Sequence, residues 1–275
     1  MTPRGDRWLS HIVLVAFSIV ALYPVANIVL VALNPPGTPL TGFGVPSRVS
    51  VDSFATAWTI GSFGQALASS LLVAVVVVVA VVALSTLTGY ALGTMRFPGS
   101  NAVLLLFVIG IVLPYEGMVV PLYYDFRSLG LANSYLSVIL PQVGLSLGFG
   151  TFWMRGFFRA APRAMIEAGQ MDGANSWLVL TRVLLPLARP ALLTLALLVF
   201  LWTWNEFLLA LVMIQDDSMR TAPLVLAFFS GGMHGADYPV VAAAATVVAI
   251  PVVAVYVLLQ RHYVAGFLAG ALQGE

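Results

Sequence analysis

Two glutamates sit beside aromatic and amide side chains in otherwise apolar runs. Glu116 follows Tyr115, and Glu206 ends the stretch Trp202-Thr-Trp204-Asn205-Glu206. Carboxylates accept hydrogen bonds from hydroxyl groups and aromatic faces stack on sugar rings, so this mixture suits a polyhydroxylated solute. The same aromatics also fit an interfacial belt, with the glutamates satisfying helix ends, and a carboxylate at membrane depth can carry a proton. A third glutamate, Glu167, keeps different company: it lies in the segment 155–190, which holds five of the twelve arginines. Nucleophilic and metal chemistry have little to draw on. Cysteine is absent, which excludes disulfides and thiolate metal sites. All twelve basic residues are arginine, so there is no P-loop lysine and the chain cannot be a Walker-type ATPase. His11, His234 and His262 are dispersed along the chain, too far apart in sequence to form a metal site by spacing, and they offer no base at membrane depth to a serine nucleophile.

The elements that position these residues must be membrane helices. Of 275 residues, 60% are hydrophobic and 8% charged, against about 45–50% and about 25% in soluble domains. Too little charge remains to cover a water-facing surface. Apolar stretches of crossing length run over 11–33, 71–94, 102–122, 134–154, 191–214 and 239–260. They predict an all-α, six-span polytopic domain covering 1–275. Valines 75–79, with Val81 and Val82, favour strand by propensity, but the stretch is too long and lacks alternation, so it reads as helix. The first stretch is too long for a cleavable signal segment and reads as a retained helix.

Arginine placement orients the chain. With the N-terminus inside, nine arginines fall on cytoplasmic segments and three on outer ones, so both termini are expected in the cytoplasm. Helix rise then puts Glu206 about 22 Å and Glu116 about 21 Å from the cytoplasmic end, both in the outer half. Gln142 and Asn27, the other polar residues at membrane depth, read as interhelical hydrogen-bonding groups. The long outer loop 34–68 opens with Pro35, Pro36, Gly37 and Pro39 and reads as irregular surface. Pro24, Pro114, Pro121, Pro141 and Pro251 predict kinks within spans.

The 155–190 segment has its own local logic. Pro162 opens a short helix, where its missing amide hydrogen costs nothing, and Gly173 closes it at a position suited to a left-handed cap. Asn175 or Ser176 can cap a second helix. The product is a helical hairpin outside the bilayer, joined to spans four and five. Taken alone, Glu167 could simply pair with Arg163 one turn earlier, worth about 0.3–0.5 kcal/mol.

The run Glu167-Ala168-Gly169, then Gly173, then Val183, Leu185 and Pro186, resembles the signature of the membrane-spanning permease subunits of bacterial ATP-binding-cassette importers. Gly169 stands where that pattern has alanine, and Val183 where it has isoleucine. The likeness is closest to the smaller permease of maltose-type carbohydrate importers. Gly89-Tyr-Ala-Leu, Arg96-Phe-Pro-Gly, Trp204-Asn-Glu-Phe-Leu-Leu-Ala-Leu and the ending 263–274 extend it over nearly the whole chain. That tail usually has lysine where Gln273 stands.

The resemblance implies a multi-pass protein of the bacterial cytoplasmic membrane that forms half of a heterodimeric sugar pathway in the lipid bilayer. Its implied partners are a second permease subunit, a pair of ATPase subunits and an extracytoplasmic solute-binding protein, with no nucleic acid. The chain itself would be no enzyme and would bind no cofactor, since ATP and Mg belong to the ATPase. Coupling would run through Arg163, Glu167, Ala168, Gly169, Asp172, Gly173 and Pro186, with Glu167 pairing an arginine of the ATPase. Tyr115, Glu116, Trp202, Trp204, Asn205 and Glu206 are the candidate solute-pathway residues. The competing expectation is a proton-coupled secondary transporter using Glu206 or Glu116, which would have no need of an arginine-rich hairpin.

Overall fold

The computed structural model describes residues 4–39, 44–46, 48–231 and 237–271. His234 and Gln273 lie outside the described residues. The regular structure of those described is entirely helical: α1 (Arg4–Ala32), α2 (Asp52–Ile60), α3 (Phe63–Thr94), α4 (Ser100–Val112), α5 (Tyr115–Ser128), α6 (Tyr135–Ala160), α7 (Arg163–Met171) and α8 (Ser176–Leu178). A π-helical stretch (Val179–Leu184) then leads into α9 (Leu185–Trp204), followed by α10 (Leu208–Met213), a 3-10 turn (Asp217–Met219), α11 (Ala222–Gly231) and α12 (Tyr238–Ala271). Two compact units form, residues 1–67 with 224–250 and residues 68–223 with 251–275.

Five helices are long and apolar enough to cross a membrane: Ser10–Ala32, Phe63–Thr94, Tyr135–Ala160, Ser176–Trp204 and Tyr238–Gln260. Among the described residues, α4 and α5 pass the same test only when taken together. That third span differs from the expected continuous stretch 102–122, because the two helices meet at a bend of 99°. The cause is local. The residue before a proline is driven out of the helical region, and Leu113, preceding Pro114, is extended at φ −63, ψ 129. By contrast, Pro24, Pro121, Pro141, Pro190 and Pro251 all remain inside helices.

Other boundaries move as well. The second span begins at Phe63 rather than 71, and α2 interrupts the loop expected to be irregular. The fourth runs on to Ala160, carrying Arg155 and Arg159 on its last turns. The fifth begins at Ser176 rather than 191 and ends at Trp204 rather than 214. Arg182 and Arg189 do not stop it, since long arginine stems let the charge reach the interface from a helix end.

In the first unit, α1 buries almost nothing before its last turns, so its apolar surface is left for lipid or another chain. Asn34 ties its C-terminal end. The side-chain amide donates to the carbonyls of Leu30 (3.0 Å) and Gly44 (3.1 Å), and Ser53 Oγ donates to Asn34 O at 2.6 Å.

In the second unit, the valine run of α3 shows helical burial. Val73, Val77 and Val81 are at most 2% exposed, whereas Val75 and Val79 are 51% and 62% exposed. Burial recurs every four residues, not every two, and these valines join Met154, Leu184, Leu195 and Val199 in one core. Helices α3 and α6 approach through small residues, as membrane helices commonly do. An added Cβ at Gly89 would lie 2.6 Å from Met154 Cβ and 2.8 Å from Arg155 N. Thr88 and Thr151 join their hydroxyls across the same contact at 2.7 Å.

Candidate functional site

The second unit contains two sites of interest, the hairpin and a polar hollow. In the hairpin, Pro162 occupies the N-cap of α7 and Asp172 its C-cap. Gly173 follows at φ +83, and Ala174 N donates to Gly169 O while Gly173 N donates to Gln170 O, both at 3.0 Å. Together these bonds form a Schellman motif, which favours glycine at the left-handed position. Asn175 then caps α8, its side chain accepting from Leu178 N at 2.9 Å.

Ile166 and Ala174 pack against the core, and no residue of α7 is buried. Arg163, Glu167, Ala168, Asp172 and Gly173 are all exposed, as is Pro186 in the first turn of α9. Glu167 makes no ion pair with Arg163 among the described residues. Three bonds that sequence reasoning missed brace the hairpin and its flanking helices. Tyr90 OH donates to Ser176 O at 3.0 Å, Arg155 Nε to Leu92 O at 3.2 Å, and Trp153 Nε1 to Ala191 O at 3.0 Å. The Gly-Tyr-Ala-Leu run contained the signal for the first, a tyrosine immediately after a glycine that permits close approach.

Gly169 has room for a methyl group. A Cβ there would meet Val179 Cγ2 at 3.5 Å and Val183 Cγ2 at 3.8 Å, ordinary contact distances. Glycine inside a helix is worse than alanine by about 0.5–1 kcal/mol. Gly169→Ala is therefore expected to stabilise α7, slowing amide hydrogen exchange in the hairpin by about two- to fivefold at that free energy. Faster exchange would show that the methyl group does not fit.

The hollow has a volume of about 510 Å³ and lies where the α4–α5 bend, the middle of α6 and the end of α9 meet. Of the six expected pathway residues, Tyr115, Glu116, Trp202 and Glu206 line it. Tyr115 OH donates to Glu206 at 3.3–3.4 Å. Glu206 does not lie within a long helix as expected. It stands in the break after α9, where its Oε1 accepts from Leu209 N at 2.7 Å and steadies the start of α10. The Trp202 ring meets Phe149 edge to face at 4.9 Å between centroids.

The other two expected residues lie elsewhere. Trp204 is 2% exposed and packs on Phe200, with ring centroids 5.5 Å apart. Asn205 turns its amide back to Leu201 O at 2.7 Å. Shared depth had grouped them, but two residues along a helix is about 200° of rotation, so Trp202 and Trp204 cannot face one hollow.

Gln142, Ser146 and Thr203 complete the polar lining. The expected interhelical bond of Gln142 is not made by its amide nitrogen, which is buried with no hydrogen-bond partner among the described residues. Asn27 Oδ1 is likewise buried without a partner among them.

Long apolar helices, an exposed helical hairpin braced between two of them and a polar hollow among their bends define the membrane subunit of a transporter. Residues 85–267 match the family described as binding-protein-dependent transport system inner membrane component, and the chain belongs to that family. It is similar to the trehalose transport system permease protein SugB of Mycobacterium tuberculosis, 32% identical over 92% of this chain and 93% of that protein. It is also similar to the diacetylchitobiose uptake system permease protein NgcG of Streptomyces coelicolor, 30% identical over 95% of this chain and 87% of that one. Among solved structures, a bacterial ABC transporter that imports the acidic polysaccharide alginate has a chain of the same fold. It matches with a TM-score of 0.78 and 24% identity, covering 96% of this chain and 99% of that one.

Proposed function

We propose that this chain forms half of the translocation pathway of an ATP-driven saccharide importer and takes its power stroke through the hairpin. The observation that carries the reading is the hairpin's construction: no residue of α7 is buried, yet Ile166 packs it on the core and Tyr90 ties α8 to α3 through Ser176 O, while Arg155 joins the neighbouring α6 to α3. Force applied to such an element reaches α3 and α9 instead of being lost in a loose loop. The names of the relatives, which include transport of trehalose and uptake of diacetylchitobiose, support a saccharide as solute.

In this reading the hairpin and both termini face the cytoplasm, in keeping with the arginine count. A separate ATPase dimer binds ATP and Mg and receives α7, with Glu167 as the charged contact and Arg163, Ala168, Gly169, Asp172, Gly173 and Pro186 shaping the seat. A second permease subunit completes the pathway, and an extracytoplasmic binding protein delivers the solute. Tyr115, Glu116, Trp202 and Glu206 line this chain's share of the route. The two end states would be inward-open and outward-open, with ATP-driven closure of the ATPases biasing the second.

Transport in energised cells tests this directly. Uptake of labelled trehalose or diacetylchitobiose is expected to stop when ATP is depleted and to survive a protonophore. Loss of uptake with the protonophore alone would favour the proton-coupled carrier, with Glu206 or Glu116 as the titrating group.

A further inference from the structure

The hollow is more specific than a generic polar route. Gln142 is 6% exposed and Thr203 is 6% exposed, and both line it. Gln142 Nε2 and Thr203 Oγ1 are both buried with no hydrogen-bond partner among the described residues. A polar atom withdrawn from water and left unpaired is unfavourable, and in native proteins nearly all such atoms find a partner in the protein or in an ordered water. Around them stand an aromatic face, Trp202, 46% exposed, and two carboxyl groups, Glu116 and Glu206. No arginine or histidine is among the lining residues.

We propose that this hollow is a binding site for an uncharged saccharide and that it discriminates against sugars bearing carboxylates. The inference rests on the saccharide reading above and adds to it a site in this subunit and a charge class. The chemistry divides cleanly. Sugar hydroxyls donate to Glu116 and to the lone pairs of Glu206 left free by Leu209 and Tyr115. Gln142 Nε2 donates to a hydroxyl or ring oxygen. The apolar face of the ring stacks on Trp202. A uronate would bring a negative charge against two carboxyl groups with no cation to offset it, and electrostatic mismatch of that kind suppresses wrong partners more than it tunes right ones. The volume, about 510 Å³, falls in the range of pockets that hold small solutes.

Equilibrium binding to the intact importer in nanodiscs, with the binding protein omitted, tests the site itself. The probes are trehalose, N,N′-diacetylchitobiose and digalacturonate. At least one of the uncharged disaccharides is expected to bind, and digalacturonate at least about tenfold more weakly, a factor that corresponds to about 1.4 kcal/mol. Gln142→Leu and Gln142→Asn are each expected to weaken binding of the uncharged probe at least about tenfold by the same relation, in complexes that assemble and melt as the parent does. Glu116→Gln combined with Glu206→Gln retains an acceptor for Leu209 N and is expected to abolish the discrimination against digalacturonate. The proposal is overturned if neither uncharged probe binds, if digalacturonate binds as tightly as they do, or if both Gln142 variants bind like the parent. Those outcomes leave the saccharide reading intact. That reading fails separately if the complete importer, binding protein included, takes up no saccharide.

Discussion

Charge reversal at Glu167 is expected to lower ATP-driven uptake at least tenfold while leaving the membrane subunit folded and inserted. Truncating or reversing one partner of a desolvated interfacial charge pair costs about 2–5 kcal/mol, so docking weakened on that scale loses the coupling. The chain's own fold has little at stake, because Glu167 is exposed and makes no ion pair within the described residues. Glu167→Arg therefore separates a contact role from a structural one. Proteoliposomes containing the assembled importer provide the measurement, with uptake and ATP hydrolysis followed together. Glu167→Gln is expected to act in the same direction with a smaller effect, and Arg96→Glu, exposed just beyond the end of α3, is a control for general charge. Unchanged uptake per ATP in Glu167→Arg would remove α7 from the coupling path.

The second large effect concerns the contact between α3 and α6. Gly89→Leu is expected to destabilise the assembled subunit by about 3 kcal/mol or more, the upper range for overpacking. It should appear as early thermal aggregation of the purified complex. The geometry also predicts what cannot rescue it. Two of the nearest atoms to an added Cβ are backbone, Arg155 N at 2.8 Å and the Met154 carbonyl carbon at 2.9 Å. Shortening Met154 to alanine removes neither, so Gly89→Leu with Met154→Ala should remain as unstable as the single variant. Gly150 offers the contrast. There the obstruction is the side chain of Ser85, whose Cβ lies at 2.9 Å, so Gly150→Ala should be relieved by Ser85→Gly. Recovery at position 89 on trimming Met154 would mean that the two helices can move apart more readily than their backbone contact suggests.

Much of the architecture was readable from the chain because its signals are either long-range and crude or local and strict. Crossing helices declare themselves by length and hydropathy, and the valine run of α3 could be assigned by length alone. Pro162, Gly173 and Asn175 each meet a backbone requirement that few residue types satisfy, so the hairpin's caps fall where local chemistry puts them. Prolines were harder. Pro141 and Pro251 stay inside helices, whereas Pro114 follows an extended residue and ends one. Helix ends near arginine were also unreadable, because α9 and its π-helical lead-in include Arg182 and Arg189 within a continuous rod.

The hollow was half legible. Carboxylates and aromatics at membrane depth pointed to Tyr115, Glu116, Trp202 and Glu206. Depth carries no information about rotation, which is why Trp204 and Asn205 were grouped with them and turn elsewhere. Gln142 was singled out but read as an interhelical hydrogen-bonding group. A lone amide in an apolar helix ordinarily finds a partner on a neighbour, and only the three-dimensional arrangement reveals that its nitrogen has none among the described residues.

One surplus residue is absorbed upstream of the wall that carries Trp202. The stretch Val179–Leu184 is wound as a π-helix, and each such turn accommodates one residue more than an α turn, equivalent to about 100° of screw rotation. Deleting a single residue there would let the wide turn close to ordinary α pitch and leave the same strip of α9 in the hollow, because those six positions turn about as far as five in an α-helix. The same deletion made further along α9 has no such reserve and would swing a different strip inward without altering the chemistry of any side chain it carries.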